Sequence, residues 1–334
     1  MLRIDVHSHL LPEDWPDIGR RFGVDCMPRL ERNGGRTAIM RGDAFFREIQ
    51  PNCWDVEARV AEFTALSVDA QIVSTVPVMF CYEAPAPAAA ELARFLNEDL
   101  AVQRDRFPDR LGALGTLPLQ DPELAIDELR HLREELGLEG VQIGSHVAGR
   151  NLNDPGLFAV FEAARDLDCP ILVHPWDMMG RDTMPDYWLP WLVGMPAELS
   201  RAICSLIFGG VLERLPELRF LFAHGGGSFP FTIGRIEHGF NMRPDLVALD
   251  NPVNPRRYLD RIWVDSVTHD PQALRYLLEV LGADRVVLGT DSPFPLGEQV
   301  PGSTVEALEL DENERAAIFA GNALAWLGLP ATRF

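Results

Sequence analysis

Eight short apolar runs recur along the chain, and segments with helical periodicity separate them. The runs cover residues 3–9, 70–77, 111–117, 140–144, 170–174, 219–224, 261–266 and 285–290. Their length and their β-branched or large apolar residues are typical of strands that are buried on both faces. Amphipathic helices are predicted at 55–66, 87–104, 122–136, 155–167, 196–212 and 271–281, and several of them begin at Asp or Pro and end near Gly.

Strands that alternate with helices indicate parallel pairing through helical crossovers, which places the chain in the α/β class. Eight such units close into a (β/α)8 barrel, or TIM barrel, and residues 1–334 suit one such domain. An open, doubly wound sheet is the alternative. That fold usually carries a Gly-rich phosphate-binding loop after its first strand, whereas the segment 7–12 here is His-Ser-His-Leu-Leu-Pro.

Two stretches do not fit a bare barrel. Residues 11–54 are long, polar and mixed, and Gly34-Gly35 within them predict a hairpin turn. We interpret this segment as a small insertion after the first strand that lies over the barrel mouth. Residues 227–258 are rich in Gly, Pro, Asn and Arg, which predicts a helix combined with a long loop.

The composition narrows the class of partner. A net charge of -20 argues against nucleic acid and anionic membranes as partners. No apolar stretch approaches the roughly 20 residues of a membrane span, and the first strand begins too early to leave room for a signal peptide. We therefore expect a cytoplasmic protein. The five cysteines form no C-x-x-C motif and are expected to be reduced thiols with packing roles.

All 30 basic residues are arginine, and this limits the chemistry. Without lysine no Schiff base can form, so pyridoxal phosphate and lysine-aldolase mechanisms are excluded. A carbamylated lysine that bridges two metal ions is excluded as well. The composition therefore favours a site with a single metal ion.

Side chains that bind metals or move protons stand at four of the predicted strand ends. His7 and His9 are two residues apart, so a strand points both imidazoles to one face. His174 ends the fifth run, His224 ends the sixth, and Asp291 directly follows the eighth. Because the carboxyl ends of barrel strands meet at one mouth, we expect these five side chains to come together.

These residue types divide into metal ligands and a base. Two or three neutral imidazoles and one carboxylate are typical of a catalytic zinc site that keeps one position for water. His7, His9 and His174 supply the imidazoles, and Asp291 supplies the carboxylate. Such a metal lowers the pKa of its bound water toward about 7. His224 is then the spare histidine, and its position suits a general base that takes the proton from that water.

Large apolar side chains are concentrated after the fifth and eighth predicted strands. At a barrel mouth they indicate a flat, unsaturated ligand. They are Trp176, Met178, Met179, Trp188, Trp191 and Phe294. Arg47 in the insertion and Arg235 after the Gly-rich turn are candidates for binding carboxylates, because a guanidinium binds a carboxylate in bidentate fashion.

Longer motifs carry a resemblance to a known family. The most specific are the segment 174–179, His-Pro-Trp-Asp-Met-Met, and the segment 293–298, Pro-Phe-Pro-Leu-Gly-Glu. Together with the segments 6–12, 52–55, 74–80, 188–193 and 224–231, they resemble the 2-amino-3-carboxymuconate-6-semialdehyde decarboxylases of the amidohydrolase superfamily. The similarity extends over nearly the whole chain, including Gly321-Asn322-Ala323.

The resemblance implies one Zn²⁺ per subunit, no organic cofactor and a small dicarboxylate semialdehyde as substrate. The residues that look like the zinc ligands are His7, His9, His174 and Asp291. His224 looks like the catalytic base, and Asp291 would help to relay protons. The resemblance also implies a homodimer in which Arg235 reaches into the neighbouring subunit's site. The other residues that it places near the substrate are Arg41, Arg47, Trp191 and Phe294.

The implied reaction is the oxygen-independent decarboxylation of 2-amino-3-carboxymuconate 6-semialdehyde to 2-aminomuconate 6-semialdehyde, as in tryptophan (kynurenine) or nitrobenzoate catabolism. Two alternatives stay open: a metal-dependent hydrolase of a lactone or amide, and a decarboxylase of a related hydroxymuconate or aromatic acid. The chain departs from the family at Ser292, where relatives often carry tyrosine. Strand alternation turns this residue away from the metal, so we expect a packing effect rather than lost activity.

Overall fold

The computed structural model describes residues 1–25 and 27–334, so Cys26 lies outside the described residues. The strands are β1 (Ile4–His9), β2 (Pro28–Asn33), β3 (Arg36–Arg41), β4 (Ala44–Ile49), β5 (Ala70–Ser74), β6 (Leu111–Gly115), β7 (Gly140–Gly144), β8 (His146–Val147), β9 (Arg150–Asn151), β10 (Ile171–His174), β11 (Phe220–Phe222), β12 (Ile262–Asp265) and β13 (Val286–Val287). The α-helices are α1 (Ile18–Phe22), α2 (Val56–Ala65), α3 (Ala86–Arg106), α4 (Pro122–Arg130), α5 (Pro155–Asp166), α6 (Met195–Phe208), α7 (Val211–Arg214), α8 (Phe229–Met242), α9 (Pro244–Val247), α10 (Pro271–Leu281), α11 (Ser303–Glu306), α12 (Glu312–Ala316) and α13 (Asn322–Leu327).

Eight of the strands form one sheet in the order β1-β5-β6-β7-β10-β11-β12-β13. Each neighbouring pair in this sheet is parallel. The segment after β13 returns to β1, where the Asp291 N–H donates to the His7 carbonyl and the His9 N–H donates to the Ser292 carbonyl, both at 2.8 Å. The sheet therefore closes into the predicted (β/α)8 barrel.

The core has two parts, as expected for a barrel surrounded by helices. A smaller cluster fills the barrel interior with side chains from alternate strands, among them Ile4, Ile72 and Leu172, and α13 adds Trp326 to it. A larger cluster lies between the strands and the outer helices. Since the interior is filled by side chains, the chemistry is confined to the ends of the strands.

The helices lie close to their predicted positions because capping residues fix their starts. Asp55, Asp121 and Asp270 each accept hydrogen bonds from first-turn N–H groups, at α2, α4 and α10. The last barrel strand is shorter than the predicted run 285–290. It ends early because the Leu288 N–H donates to the Ile318 carbonyl instead of continuing the ladder.

The segment predicted to be an insertion contains α1 and an antiparallel sheet of β2, β3 and β4. Gly34 and Gly35 form the predicted hairpin turn between β2 and β3, with φ values of 58° and 85° that favour glycine. β4 brings Phe46 and Arg47 to a chamber that His9 also lines. The boundaries of the single domain and of its insertion stay predictions.

One helical stretch has a feature that the sequence analysis did not anticipate. Pro190–Phe208 has 19 residues and a mean hydropathy of 1.3, enough to cross a membrane by length and composition alone. Its side chains Leu199, Ile203 and Leu206 are fully buried, and so is the carboxylate of Glu198. In this fold the stretch buries one face against the barrel, while Leu192 and Val193 near its start are exposed.

Two further predictions concern the segment 227–258 and the cysteines. The segment 227–258 contains α8 and α9 followed by a loop, in line with the predicted helix and loop. Cys53 and Cys169 are buried thiols, and Cys204 is half-buried. Burial raises the pKa of Cys169 and of Cys204 to about 12, which keeps both thiols protonated and unreactive.

Candidate metal centre and active site

Four imidazole rings meet at the carboxyl ends of the barrel strands. His7 and His9 belong to β1, His174 is the last residue of β10, and His224 lies in a 3-10 turn after β11. The centroids of neighbouring rings are 5.1–5.3 Å apart. Asp291 completes the group, with Oδ1 3.0 Å from His9 Nε2 and Oδ2 3.4 Å from His224 Nε2.

The Nδ1 atom of each strand imidazole has a fixed oxygen partner. The three contacts are His7 Nδ1 to Asp265 Oδ2 at 2.6 Å, His9 Nδ1 to the Thr75 carbonyl at 3.1 Å, and His174 Nδ1 to the Pro175 carbonyl at 2.9 Å. An acceptor at Nδ1 keeps the ring proton there and leaves the Nε2 lone pair free. The Nε2 atoms of His7 and His174 face Asp291 without a hydrogen-bond partner in the described residues, and His9 Nε2 lies 3.0 Å from Asp291 Oδ1.

His7, His9, His174 and Asp291 could hold a metal ion, because their ligand atoms lie within 4.8 Å of one another. The Nε2 atoms of His7 and His174 are buried and have no hydrogen-bond partner in the described part of the chain. A buried polar atom without a partner is costly unless something binds it. Three imidazoles and a carboxylate are donors typical of a catalytic divalent-metal site. The predicted ligand set thus fits a divalent cation.

Burial and hydrogen bonds set the charge of each group. Burial lowers the pKa of His9, and it lowers the pKa of His174 to about 3, so both imidazoles are neutral at pH 7. Burial also acts to lower the pKa of His7, but the hydrogen bond with Asp265 acts in the opposite direction, and this pKa is raised overall. Burial acts to raise the pKa of Asp291, but its interactions with the surrounding histidines outweigh burial and hold the pKa well below the usual range. Asp291 is therefore an anion.

His224 and Asp291 have left-handed backbone conformations, with φ values of 50° and 58°. Few non-glycine residues adopt this region, and strained positions of this kind concentrate at functional sites. At His224 the support is a pair of hydrogen bonds of 2.9 Å from the N–H groups of His224 and Gly225 to Asp265. His224 lies in a turn and not in a strand, because β11 ends at Phe222, two residues before the end of the predicted run 219–224.

Two chambers open beside the metal ligands. The smaller, of about 40 Å³, has walls made by the rings of Phe46, Trp176, Trp188, Trp191 and Phe294. The larger, of about 320 Å³, lies on the side of His224 and is mostly apolar. Both chambers touch Asp291, so a ligand in either of them lies next to the carboxylate.

Arg47 supplies the positive charge of the smaller chamber. Its guanidinium carbon lies 4.7 Å from the centroid of the Phe294 ring, a distance that holds the side chain against the aromatic wall. Burial lowers the pKa of Arg47, while the charge of Asp291 acts in the opposite direction. An arginine remains charged at any physiological pH, so this partly buried cation attracts an anionic ligand.

The structure brings some of the predicted substrate residues to the site and leaves others outside. Arg47, Trp176, Trp191 and Phe294 all line the smaller chamber. Met178 is buried but lines neither of the two chambers.

Two of the predicted arginines also lie outside both chambers. Arg41 lies 3.8 Å from Glu83 and 6.0 Å from the Trp176 ring centroid, outside the chamber walls. Arg235 is exposed on α8, one helical turn after Phe231, which does line the larger chamber. The roles of Arg41, Met178 and Arg235 in substrate binding therefore stay predictions.

Three residues near the site escaped the sequence analysis. Asp265 ends β12, so the strand-end rule that selected His174 would have found it. Met195 lines both chambers, but it begins a helix whose apolar pattern looks like ordinary core. Arg59 lies inside α2, where an arginine usually faces solvent, yet it is only 1% exposed and donates to the His9 carbonyl. No local signal distinguishes it.

Comparisons with known proteins agree with this geometry. A family model described as Amidohydrolase matches residues 4–329. The chain is 52% identical to the 2-amino-3-carboxymuconate-6-semialdehyde decarboxylase of Dictyostelium discoideum, over 100% of this chain and 93% of that protein. It is 37% identical to the enzyme of the same name from Caenorhabditis elegans, over 98% and 94%. The crystal structure of Metarhizium anisopliae IDCase in apo form superposes with a TM-score of 0.86 at 23% identity, over 99% and 98% of the two chains.

The structural match supports the fold alone, because its identity is low. The two sequence matches extend over nearly the whole of each chain and concern proteins named as decarboxylases. The chain therefore belongs to the amidohydrolase superfamily and, within it, to the 2-amino-3-carboxymuconate-6-semialdehyde decarboxylases, which are carboxy-lyases.

Proposed function

We propose that this protein catalyses the oxygen-independent decarboxylation of 2-amino-3-carboxymuconate 6-semialdehyde to 2-aminomuconate 6-semialdehyde. The proposal includes one Zn²⁺ held by His7, His9, His174 and Asp291, with His224 as the proton-transfer residue and no organic cofactor. Its place would be the degradation of tryptophan or of nitrobenzoates, in the cytoplasm. The names of the two sequence relatives support this substrate.

One observation carries the proposal: unpartnered Nε2 atoms of buried imidazoles converge on an anionic carboxylate. A structural zinc site needs no histidine beyond its ligands, whereas here His224 lies beside the four ligands without belonging to them. When bound, a divalent metal at these ligands supplies Lewis acidity and lowers the pKa of water. The arrangement is thus that of a reactive centre with an adjacent proton carrier.

His224 is suited to carry a proton between solvent and substrate. Its Nε2 atom is buried, lies 3.4 Å from Asp291 Oδ2 and has no hydrogen-bond partner in the described residues. The side chain also faces the larger chamber, which connects the site with the outside. Nε2 can therefore take up a proton and release it to a carbon atom in the chamber.

Arg47 and the aromatic walls are suited to hold the substrate. A guanidinium binds a carboxylate through two parallel hydrogen bonds, which fixes the plane of an anionic ligand. The rings of Trp176, Trp191 and Phe294 offer flat apolar faces to a conjugated chain and exclude water around it. Exclusion of water strengthens the attraction between Arg47 and the carboxylate.

The substrate itself provides much of the electron sink. Loss of carbon dioxide breaks a C–C bond and leaves its electron pair on the carbon, which the conjugated enamine and aldehyde can delocalise. One proton must then take the place of the carboxylate on that carbon. In our proposal His224 Nε2 delivers this proton, so the step consumes one proton and needs neither an oxidant nor a reductant.

We also propose that the enzyme works as a homodimer in which Arg235 enters the partner's site. Arg235 is exposed and lines neither chamber of its own subunit, and it lies one helical turn after Phe231, which lines the larger one. The surrounding surface is apolar, since Phe231 is 58% and Leu192 is 50% exposed. A partner that covers this surface would bury it and bring a second guanidinium to the substrate's other carboxylate.

The decisive experiment is an anaerobic assay with freshly generated 2-amino-3-carboxymuconate 6-semialdehyde. We expect the zinc-loaded protein to abolish the visible absorbance of the substrate and to release one carbon dioxide per molecule. Protein that has been exhaustively chelated should be inactive until Zn²⁺ is restored. Full activity after chelation would contradict the metal mechanism. Hydrolysis of a lactone tested in parallel, without carbon dioxide release from the semialdehyde, would indicate a hydrolase.

Decarboxylation of an aromatic acid is the second candidate, and the five aromatic rings of the smaller chamber favour it as well. A hydroxybenzoate, tested in parallel with the semialdehyde, separates the two. A kcat/KM that is higher for the hydroxybenzoate would replace the substrate in our proposal and leave the reaction class unchanged.

A further inference from the structure

Asp265 is a fully buried carboxylate at the end of β12, and it accepts four hydrogen bonds. Oδ2 lies 2.6 Å from His7 Nδ1 and accepts from the His224 N–H at 2.9 Å. Oδ1 accepts from the N–H groups of Gly225 and Val267, at 2.9 Å and 3.1 Å. One carboxylate thus connects β1, the turn that carries His224 and its own strand.

We infer that Asp265 is a positioning residue that sets both the metal-binding tautomer of His7 and the place of His224. This inference rests on the proposed function, since it assigns a role within the same site. Asp265 touches neither chamber, so it acts through the two histidines.

The effect on His7 is a choice between two tautomers. A carboxylate can only accept, so Asp265 keeps the His7 proton on Nδ1. The lone pair is then on Nε2, which points to Asp291 at 3.4 Å. Without a strict acceptor at this place the proton could reside on Nε2, and a protonated Nε2 cannot bind a metal.

Asp265 acts on His224 through hydrogen bonds that stabilise the backbone conformation of this residue. The residue has a φ of 50°, which a histidine adopts only where its surroundings compensate the cost. The N–H groups of His224 and Gly225 point at the same carboxylate, and an anion at such a pair of N–H groups stabilises the turn. The direction of the His224 side chain therefore depends on Asp265.

The close approach of Asp265 to His7 requires a glycine at position 289. A Cβ atom there would lie 2.8 Å from Asp265 Cβ, closer than real Cβ atoms pack, and 3.0 Å from His7 Cβ, which is tighter than most such contacts. Any larger residue would separate the carboxylate from the imidazole. Gly289 therefore provides an independent way to weaken the same contact.

Replacement of Asp265 by asparagine gives a sharp test. An amide has one accepting and one donating end, yet all four neighbours of Asp265 are donors. A backbone N–H cannot become an acceptor, but the His7 imidazole can, by moving its proton to Nε2. An NH₂ group at the Oδ1 position would oppose the N–H groups of Gly225 and Val267, whereas at the Oδ2 position it opposes only one backbone N–H, that of His224. The asparagine amide is therefore expected to face His7 and to force the tautomer that does not bind metal.

Asp5 provides a matched control on β1, the strand that carries His7. It is also fully buried, and it accepts from the backbone N–H of His7, from Thr290 and from Gln71. The partners of the Asp5 carboxylate include no imidazole nitrogen, so an amide at position 5 does not oppose the proton of a histidine ring.

Asp5→Asn can also be accommodated without a clash. The Oε1 atom of Gln71 has no hydrogen-bond partner in the part of the chain described, so its amide can turn and accept from the new asparagine. The Thr290 hydroxyl can turn in the same way. Neither adjustment reaches an imidazole nitrogen.

The experiment measures Zn²⁺ affinity of the chelated protein by calorimetry with a competing chelator, for the wild type, D265N, D5N and G289A. We expect about 10-fold to 100-fold weaker binding for D265N and weaker binding for G289A, with D5N close to the wild type. In ¹⁵N-histidine NMR spectra of the metal-free proteins, the His7 proton should move from Nδ1 to Nε2 in D265N only. The signal is assigned with His7→Asn.

Wild-type affinity and an unchanged His7 tautomer in D265N would overturn the inference. If D265N does not fold, as judged by circular dichroism, G289A decides in its place, and wild-type affinity in that variant has the same consequence. A wild-type protein that binds no Zn²⁺ at all would refute the proposed function instead, so the two failures are distinguishable. A loss of metal affinity in D5N equal to that in D265N would also refute the specific role of Asp265.

Discussion

The Arg59 guanidinium donates a hydrogen bond of 2.9 Å to the hydroxyl of Ser292, and its other arm donates to the His9 carbonyl. The two acceptors belong to the two segments that close the barrel beside the metal ligands. Ser292 and Arg59 line a separate cleft where these two segments meet, and neither residue lines either of the two chambers. A serine at this position therefore serves the packing of a buried cation.

Ser292→Ala should destabilise the protein and leave its activity nearly unchanged. The substitution removes an acceptor from a guanidinium that is only 1% exposed, and an unsatisfied buried donor costs about 1–3 kcal/mol of unfolding free energy. Urea unfolding measures this loss, and kcat should stay close to that of the wild type. Thr183→Ala removes an exposed hydroxyl and is the matched control. A large loss of kcat in S292A would show that Ser292 belongs to the reaction after all.

His224→Ala should abolish turnover and retain the metal. The His224 ring is not part of the set of four ligand atoms, so the affinity for Zn²⁺ is expected to persist when it is removed. Loss of a general acid or base typically lowers kcat by about 10²–10⁴-fold. Elemental analysis and steady-state kinetics test the two halves of this prediction. His238→Ala is the control, because His238 is an exposed histidine on α8. Loss of zinc in H224A would contradict our assignment of His224.

The sequence predicts the barrel and its ring of strand-end histidines well, because both follow from local patterns. Eight apolar runs define the strands, and the two-residue spacing of His7 and His9 sets a common face. The topology then brings His174 and Asp291 to the same mouth, since parallel strands end at one side. These inferences need no knowledge of any particular contact.

Contacts across long sequence distances could not be predicted in the same way. Arg59 donates a hydrogen bond to Ser292, which is 233 residues away in the sequence. Nothing in the sequence of α2 distinguishes Arg59 from a surface arginine. Met178 follows a site strand and yet lies outside the chambers, whereas Met195, on a later helix, lines both. The choice between them depends on how the loop after β10 folds back, and apolar periodicity does not determine that path.

Arg47→Gln should raise KM for the dicarboxylate substrate by about 10-fold to 100-fold, because charge-assisted hydrogen bonds contribute about 1.5–3 kcal/mol. Steady-state kinetics over a wide range of substrate concentration measure the change. Arg36→Gln is a matched control in the same sheet, since the side chain of Arg36 is 80% exposed and its ion pair with Glu48 contributes little. An unchanged KM in R47Q would remove Arg47 from the substrate site.

The metal-free protein should lose stability as the pH falls from about 6.5 toward 3. Burial lowers the pKa of His174 to about 3 in the folded protein, whereas the unfolded chain has the ordinary value of about 6.5. Between these values the unfolded state binds one more proton, so the free energy of unfolding decreases with acidification. Asp5 acts in the opposite direction, since its pKa is raised to about 6 in the folded state.

Urea unfolding of chelated protein between pH 7 and pH 4 measures this dependence. His174→Asn removes the titrating ring and should flatten the slope relative to the wild type, while D5N should steepen it. Equal slopes for the wild type and H174N would mean that His174 is protonated in the folded, metal-free protein.

Two inactive variants should restore activity when they are mixed, if Arg235 serves the partner's site. In a mixed dimer of H224A and R235A, one site has lost both residues and the other retains both, because His224 and Arg235 of a site come from different subunits. Random exchange makes about half of the dimers mixed, each with one intact site, so the expected activity is about a quarter of that of the wild type.

Denaturation and joint refolding produce the exchange, and each variant refolded alone is the control. If Arg235 acted within its own subunit, each mixed dimer would have one site without His224 and one without Arg235, and no activity would return. The complementation thus depends on the exposed position of Arg235 on α8, outside both chambers of its own subunit.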